Sequence, residues 1–100
     1  MIEDIAEMEV HAGAAAKLLR TLANEKRLLI LCKLAEGERS AGDIDVGLSQ
    51  SALSQHLAVL RAEGIVATRR DKQSIWYRIA DPHAARVMDV LADIFCKGMK

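Results

Sequence analysis

The stretch Leu48-Ser-Gln-Ser-Ala-Leu-Ser-Gln-His-Leu-Ala-Val-Leu60 has the pattern of a short amphipathic helix with two different faces. Its leucines recur at helical spacing and predict a face seated on a core. The opposite face carries almost no charge and consists of short hydrogen-bonding side chains: Gln50, Ser51, Ser54, Gln55 and His56. Such side chains suit the base edges in the major groove of DNA. We therefore interpret this stretch as a recognition helix with Ser49 at its N-cap, the alternative being a polar helix without a partner.

The size and composition of the chain allow one small domain. It has 100 residues, 51% of them hydrophobic, which is enough for a single modest core. Aromatic residues make up only 3%, and the apolar residues are mostly Ala, Leu, Val and Ile, which favours packed helices. The net charge is zero, so no global attraction to nucleic acid is expected. Residues 61–78 nevertheless hold five basic side chains against two acidic ones, which favours a polyanion locally.

Several classes of protein are disfavoured by what the sequence lacks. No apolar run reaches the roughly 18 residues of a membrane span, and no secretory signal pattern opens the chain, so we expect a cytoplasmic protein without a membrane partner. Two cysteines, Cys32 and Cys96, lie far apart without a CxxC motif, which argues against a disulfide scaffold and a zinc finger. No phosphate loop, nucleophile elbow or paired carboxylates are present, so we expect no enzyme.

Apolar periodicity predicts five helices, of which the second carries Cys32 among its inward-facing leucines. The predicted helices are Ile2 to Leu22, Glu25 to Ala35 after an Asn24 N-cap, Ala41 to Val46 anchored by Ile44, Ser49 to Ala62, and Asp81 to Lys97. Asp81 and Pro82 suit the N-cap and first position of the last helix. The tight turn at Gly47 joins the third and fourth helices, which predicts a helix-turn-helix.

A β-hairpin is predicted directly after the recognition helix. Ile65 to Thr68 and Ile75 to Ile79 alternate as half-buried strands and flank the polar segment Arg69-Arg-Asp-Lys-Gln-Ser74. A hairpin at this place is a wing, and Arg69, Arg70 and Lys72 are its candidate DNA contacts. The predicted fold is therefore mainly α with a β-hairpin, a single winged helix-turn-helix domain over residues 1–100 in the order α-α-α-α-β-β-α.

The last predicted helix has an apolar stripe along its whole length: Val87, Val90, Leu91, Ile94 and Phe95. One subunit of this size has too small a core to cover such a stripe. The stripe therefore predicts a homodimer, formed together with the first helix and bound to a near-palindromic double-stranded DNA operator. The alternative is that both terminal helices complete the core of a monomer.

In this order of elements the chain resembles the ArsR/SmtB family of dimeric winged-helix repressors. The motifs that carry the resemblance are Thr21–Cys32, Leu48–Arg61, Gly64–Val66 and Trp76–Ile79. The chain is most similar to the persulfide-responsive branch typified by BigR, SqrR and HlyU, whose two cysteines correspond to Cys32 and Cys96. The resemblance implies that the reduced dimer represses transcription. It also implies that reactive sulfur species act as effector, linking the two redox-sensing thiols and releasing DNA.

The chain departs from the family pattern in two respects. Its third helix segment is shorter than usual, and Ser40-Ala-Gly-Asp-Ile44 lacks the Cys-x-Cys of metal-sensing members. A second family metal site is matched only loosely by Asp81-x-His83 and Asp93-x-x-Cys96, so we expect neither a metal nor a cofactor.

The residues alone leave the functions of the cysteines and of the whole chain open. A lone cysteine among leucines, like Cys32, is usually an inert core residue. The alternative functions are a metal-responsive repressor, which metal titration would test, and a dimeric interaction module without DNA binding, which a mobility-shift assay would test.

Overall fold

The computed structural model describes residues 3–96, which contain four α-helices and a three-stranded antiparallel sheet. The helices are α1 (Ile5–Leu22), α2 (Glu25–Ala35), α3 (Gln50–Ala62) and α4 (Pro82–Phe95). The strands are β1 (Arg39–Ser40), β2 (Val66–Asp71) and β3 (Ser74–Ile79). The predicted fold class is confirmed, whereas the predicted helix ends at Ile2 and Lys97 lie outside the described residues. Within residues 3–96 no helix combines the length and the hydropathy needed to cross a membrane.

Polar side chains cap the N-termini of all four α-helices, which explains where these helices begin. Asn24 Oδ1 accepts hydrogen bonds from two backbone N–H groups in the first turn of α2. Ser49 Oγ and Asp81 Oδ1 each accept one, at 3.1 Å and 2.8 Å, at the starts of α3 and α4. Asp4 caps α1, so this helix starts three residues later than the apolar periodicity predicted. The caps predicted at Asn24, Ser49 and Asp81 are therefore confirmed, whereas the cap predicted at Ser40 is not formed.

The prediction of a third helix from Ala41 to Val46 is wrong. Only Ala41–Asp43 is helical, as a single 3₁₀ turn, and Ile44 already has an extended backbone. The Ser40 hydroxyl pairs with Asp43 Oδ2 at 3.1 Å and caps no backbone N–H. Such a short segment with a central glycine cannot compensate the cost of helix nucleation. The segment is held instead by Ile44, whose predicted anchoring role is confirmed because it is only 4% exposed.

The hairpin is longer than predicted, because its strands continue through the basic segment to a two-residue turn. The register pairs Val66 with Ile79 at the base and Asp71 with Ser74 at the tip. At the turn Lys72 has a φ of 60°, which is uncommon for a residue other than glycine. The strand β1 was not predicted, since two residues are too few to show alternation. It pairs with β3 on the side opposite β2.

The core lies between α2, α3, the base of the sheet and the N-terminal half of α4. Its buried apolar residues are Leu22, Ile30, Leu31, Leu34, Ile44, Leu53, Leu57, Leu60, Ile65, Val66, Ala84 and Met88. The first helix, α1, buries residues only at its C-terminal end. The expectation that Cys32 faces inward is wrong, because its side chain is exposed while Ile30 and Leu31 fill the core.

Candidate nucleic-acid interface and thiol pair

The recognition helix α3 is fixed to the core along one face. Leu53, Leu57 and Leu60 are 7%, 2% and 0% exposed, as their spacing predicted. On the outer side Gln50, Ser51, Ser54 and Gln55 are exposed. The helix therefore presents uncharged donors and acceptors from a backbone that is held rigidly by packing.

His56, the fifth residue predicted for this face, is half-buried and held by α2. Its Nδ1 accepts a hydrogen bond of 3.3 Å from Arg27 Nε, and Arg27 Nη1 also donates to the Thr21 carbonyl at 2.9 Å. With Nδ1 as acceptor, the proton of a neutral His56 lies on Nε2, which is then a donor. The contribution of Arg27 was missed, because contacts between helices leave no local pattern in the sequence.

The loop before α3 is braced by a second residue of α2. Lys26 Nζ donates a 2.7 Å hydrogen bond to the Val46 carbonyl. The next residue, Gly47, has a φ of 76°, and a Cβ there would lie 3.3 Å from Lys26 Nζ. A side chain at Gly47 would therefore both strain the backbone and crowd the lysine. Lys26 and Gly47 together fix how the chain enters the recognition helix.

A cavity of about 430 Å³ opens between α3 and the sheet, next to the exposed polar row. Ser54, Arg61 and Tyr77 contribute its polar lining. Arg61 is exposed in the last turn of α3 and forms no ion pair with the residues that the structure describes. It adds a cationic side chain beside the exposed polar row, and it is not among the DNA contacts predicted from the sequence. Its place in the basic stretch 61–78 is the signal that could have found it.

The three basic residues predicted for the wing fall into two groups. Arg70 and Lys72 are exposed, and in the described part of the chain neither lies within ion-pair distance of a carboxylate. Arg69 instead forms a bidentate ion pair with Glu38, and its guanidinium carbon lies 5.5 Å from the centroid of the Trp76 ring. Of these three residues, two are therefore uncompensated cations and one is neutralised by a carboxylate.

The predicted stripe of α4 is divided between core and surface. Val87 and Leu91 are half-buried and pack against the core, whereas Val90, Ile94 and Phe95 are 55%, 57% and 61% exposed. The buried residues of α4 are Ala84 and Met88, which the predicted stripe does not include.

The first helix adds a second exposed apolar set, Ile5, Val10 and Leu19. The radius of gyration is 14.9 Å, above the roughly 13 Å of a compact chain of this length. A single chain thus leaves both terminal helices partly uncovered.

Both cysteines are exposed and neither is in a disulfide. Cys32 lies on the outer side of α2, and Cys96 is the C-cap of α4, where its N–H donates to the Ala92 carbonyl at 2.8 Å. Partial loss of hydration raises the pKa of the Cys32 thiol above its ordinary value, and the negative charges of Cys96 and Glu36 raise it further. Cys96 therefore stands among the groups that raise the pKa of the Cys32 thiol.

The loose metal-site motif in the last helix is not assembled by the fold. Within residues 3–96 no three His, Cys, Asp or Glu side chains come close enough together to hold a metal ion.

Comparison with known proteins agrees with this geometry. Residues 24–68 match the family model described as bacterial regulatory protein, arsR family. The chain is 45% identical over 96 residues to the biofilm growth-associated repressor of Xylella fastidiosa, covering 94% of this chain and 84% of the relative. The solved structure of the transcriptional repressor BigR from Xylella fastidiosa superposes with a TM-score of 0.87 at 43% identity, covering 94% of this chain and 98% of that one.

Two further solved structures are similar. Reduced HlyU from Vibrio cholerae gives a TM-score of 0.86 at 41% identity, covering 92% of this chain and 99% of that one. A homodimeric winged helix-turn-helix DNA-binding domain from Mycobacterium bovis gives 0.77 at 29% identity, covering 99% of this chain and 94% of that one. The likeness therefore extends over nearly the whole chain, both wing and terminal helices included.

Proposed function

The chain belongs to the ArsR family of bacterial regulatory proteins, and from this premise we propose that it is a homodimeric transcriptional repressor controlled by its two thiols. In the reduced state the dimer binds a near-palindromic operator. Sulfane sulfur links Cys32 and Cys96 of one subunit and releases the DNA. The observation that carries this proposal is the combination, in one small chain, of a recognition helix with an exposed row of uncharged hydrogen-bonding side chains and of two exposed free thiols.

The proposed DNA contacts are divided between base reading and phosphate binding. Gln50, Ser51, Ser54 and Gln55 project from a rigidly seated helix and have the donors and acceptors that base edges require. Arg70 and Lys72 at the wing have the uncompensated charge that suits phosphate. Such a division gives specificity to α3 and affinity to the wing.

The proposed dimer interface consists of α1 and α4. These two helices carry six of the nine large apolar side chains that are exposed in residues 3–96. Apolar surface of this extent is typical of a protein–protein contact. A second copy of the chain suits it because the structural relative from Mycobacterium bovis is itself a homodimer.

The proposed switch has a balanced chemistry in which a low-molecular-weight persulfide, RSSH, is the oxidant. Each thiol takes the terminal sulfur of one persulfide and releases RSH, giving two protein persulfides. One protein persulfide then attacks the inner sulfur of the other, which forms Cys–S–S–S–Cys and releases H₂S. Further persulfide lengthens the bridge by one sulfur per RSH released. A polysulfide bridge spans a wider gap than a disulfide, which requires Cα atoms about 4.4–6.8 Å apart.

Operator binding of the wild type and of the variants Cys32→Ser and Cys96→Ser tests the proposal. Fluorescence anisotropy with DNA from the protein's own promoter would be measured for reduced, persulfide-treated and peroxide-treated protein. We expect reduced wild type and both variants to bind, and only the wild type to release DNA after persulfide. Mass spectrometry of the released protein should show one added sulfur and two lost hydrogens per chain, or a longer bridge.

Two results would contradict the proposal in different ways. Release of DNA from the single variants after persulfide treatment would exclude the intramolecular bridge while leaving the repressor intact. Absence of specific binding by the reduced wild type would favour the dimeric interaction module instead. A fragment of unrelated DNA at the same length is the control for specificity.

A further inference from the structure

Arg69 of the wing is engaged by a residue 31 positions earlier in the chain. Its Nε donates to Glu38 Oε2 and Oε1 at 2.8 Å and 3.0 Å, and its Nη2 donates to Oε1 at 2.7 Å. Glu38 directly precedes β1. The N–H groups on one edge of the guanidinium therefore donate to both oxygens of the carboxylate. Arginine binds phosphate in the same bidentate arrangement. While this pair is formed, that edge is not available to DNA.

The same side chain also packs on the sheet. Arg69 pairs with Trp76 across the hairpin and lies over its ring, and Trp76 pairs in turn with Ser40 of β1. The indole Nε1 is buried and has no hydrogen-bond partner among the described residues, so the ring is held by packing and by the cation. Arg69 therefore connects all three strands, since it contacts β3 by stacking and the start of β1 through Glu38.

Charge and orientation separate Arg69 from its neighbour Arg70. A second carboxylate, Asp71, lies 4.0 Å from Arg69 Nη1, so the charge of this arginine is compensated. Arg69 lowers the pKa of the Glu38 carboxyl by hydrogen bonding, so Glu38 stays ionised at neutral pH. Successive side chains of a strand point to opposite faces, which places Arg70 on the face of Tyr77, where the cavity beside α3 lies. Arg69 occupies the other face.

We propose that Arg69 is a positioning residue for the wing, which with Glu38 holds the hairpin to β1 so that Arg70 and Lys72 reach DNA phosphate in a fixed geometry. This inference rests on the proposed DNA binding. It assigns Glu38 to the DNA-binding machinery although this residue is acidic. It also changes the role of Arg69 from the direct DNA contact that the sequence predicted.

The dependence of operator affinity on salt concentration distinguishes positioning from contact. Loss of one phosphate contact flattens the plot of log affinity against log salt by about 0.9. We expect this for Arg70→Gln, whereas Arg69→Gln and Glu38→Gln should each weaken binding about two- to fivefold with an unchanged slope. The double variant should be no weaker than either single variant, because both remove the same link. Lys33→Gln, at an exposed position of α2 outside the hairpin and the proposed dimer interface, is the matched control.

The conservative variant Arg69→Lys distinguishes the effect of the positive charge from the effect of the bidentate hydrogen bonds. Lysine keeps the charge but cannot reproduce the bidentate edge. We therefore expect Arg69→Lys to resemble Arg69→Gln. A flattened slope for Arg69→Gln, with affinity restored by lysine, would show that Arg69 contacts phosphate and would overturn the inference. Tighter binding and a steeper slope for Glu38→Gln would also overturn it, by showing that Glu38 competes with DNA.

Amide hydrogen exchange, measured without DNA, tests the positioning role of Arg69 independently of whether the protein binds an operator. We expect Glu38→Gln and Arg69→Gln to accelerate exchange equally in β1 and in the hairpin, while Arg70→Gln leaves it unchanged. Equal protection in all three variants would contradict the positioning role whether or not the protein binds DNA. A wild type that shows the expected exchange pattern but no operator binding would contradict only the proposed function.

Discussion

The helices α3 and α4 are similar in length and both amphipathic, yet they differ in what their outer faces are made of. The inner face of α3 consists of large leucines buried in the core, and its outer face is mainly polar, with Arg61 as a charged residue in the last turn. The inner face of α4 buries Ala84 and Met88, and its exposed side chains include the apolar Val90, Ile94 and Phe95 beside polar and charged residues. The difference indicates two kinds of partner. The inner face of α3 is packed against the core, and its outer face can bind a polar ligand. The apolar side chains exposed on α4 can instead pack against a second apolar surface.

A charge on the outer face of α4 should have the largest effect. Ile94→Glu places a carboxylate on a side chain that is 57% exposed, so the subunit should fold while the dimer dissociates. Losing the second linked half-site contact should lower operator affinity about 10²- to 10⁴-fold. Analytical ultracentrifugation and anisotropy would measure the two effects. Leu29→Glu, an exposed apolar position on α2, is the matched control, and a dimeric Ile94→Glu protein would contradict the proposed interface.

Truncation of the inner face of α3 should cost folding stability. Leu57→Ala removes a side chain that is 2% exposed and should lower the free energy of unfolding by about 2–5 kcal/mol, because a cavity is left in the core. Val59→Ala, on the same helix but 37% exposed, should change it by less than about 0.5 kcal/mol. Urea unfolding followed by circular dichroism measures both. Equal losses for the two variants would show that α3 is not seated by its leucines.

The outer face of α3 should matter for recognition and little for folding. Gln55→Ala should reduce operator affinity by about 1–3 kcal/mol and relax specificity at one position per half-site. Its affinity for unrelated DNA and its unfolding midpoint should stay unchanged, because the side chain is exposed and has no role in the core. A parallel loss of affinity for unrelated DNA would move Gln55 from base reading to backbone contact.

Substitutions around the Cys32 thiol should have the smallest effect, which is a change in the alkylation rate of Cys32. The pKa of Cys32 is raised by partial burial and then by the Cys96 and Glu36 charges, so its thiolate is scarce near neutral pH. Alkylation of Cys32 should therefore accelerate with pH beyond the range of an ordinary thiol. Cys96→Ser should lower the pKa of Cys32 and speed its alkylation at fixed pH, and Glu36→Gln should act in the same direction. Unchanged alkylation kinetics in both variants would contradict the electrostatic coupling.

The sequence predicted local features well, because local features have local causes. Asn24, Ser49 and Asp81 each satisfy the N–H groups of the helix that follows directly, so their caps were readable from residue type and position. The leucines of α3 were assigned to the core correctly, since a continuous 3.6-residue period has only one buried face. The fold class followed from these elements and their order.

Apart from the third helix, which fails for a local reason, the errors lie where distant parts of the chain meet. The strand β1 exists because β3 offers it an edge, and its two residues carry no pattern of their own. Cys32 was placed inside because of its leucine neighbours, but Ile30, Leu31 and Leu34 fill that side of α2. The roles of Lys26 and Arg27 depend on contacts 20 and 29 residues away. Such contacts require the folded structure, because periodicity contains no information about them.

The exposed side chains of α4 also have a consequence for gene dosage. If only the dimer binds the operator, the concentration of dimer rises with the square of the total chain concentration as long as most chains are monomeric. Halving the total concentration of the protein would then reduce the concentration of dimer by about three quarters. Val90, Ile94 and Phe95 would thereby set a threshold for silencing, independently of any effector.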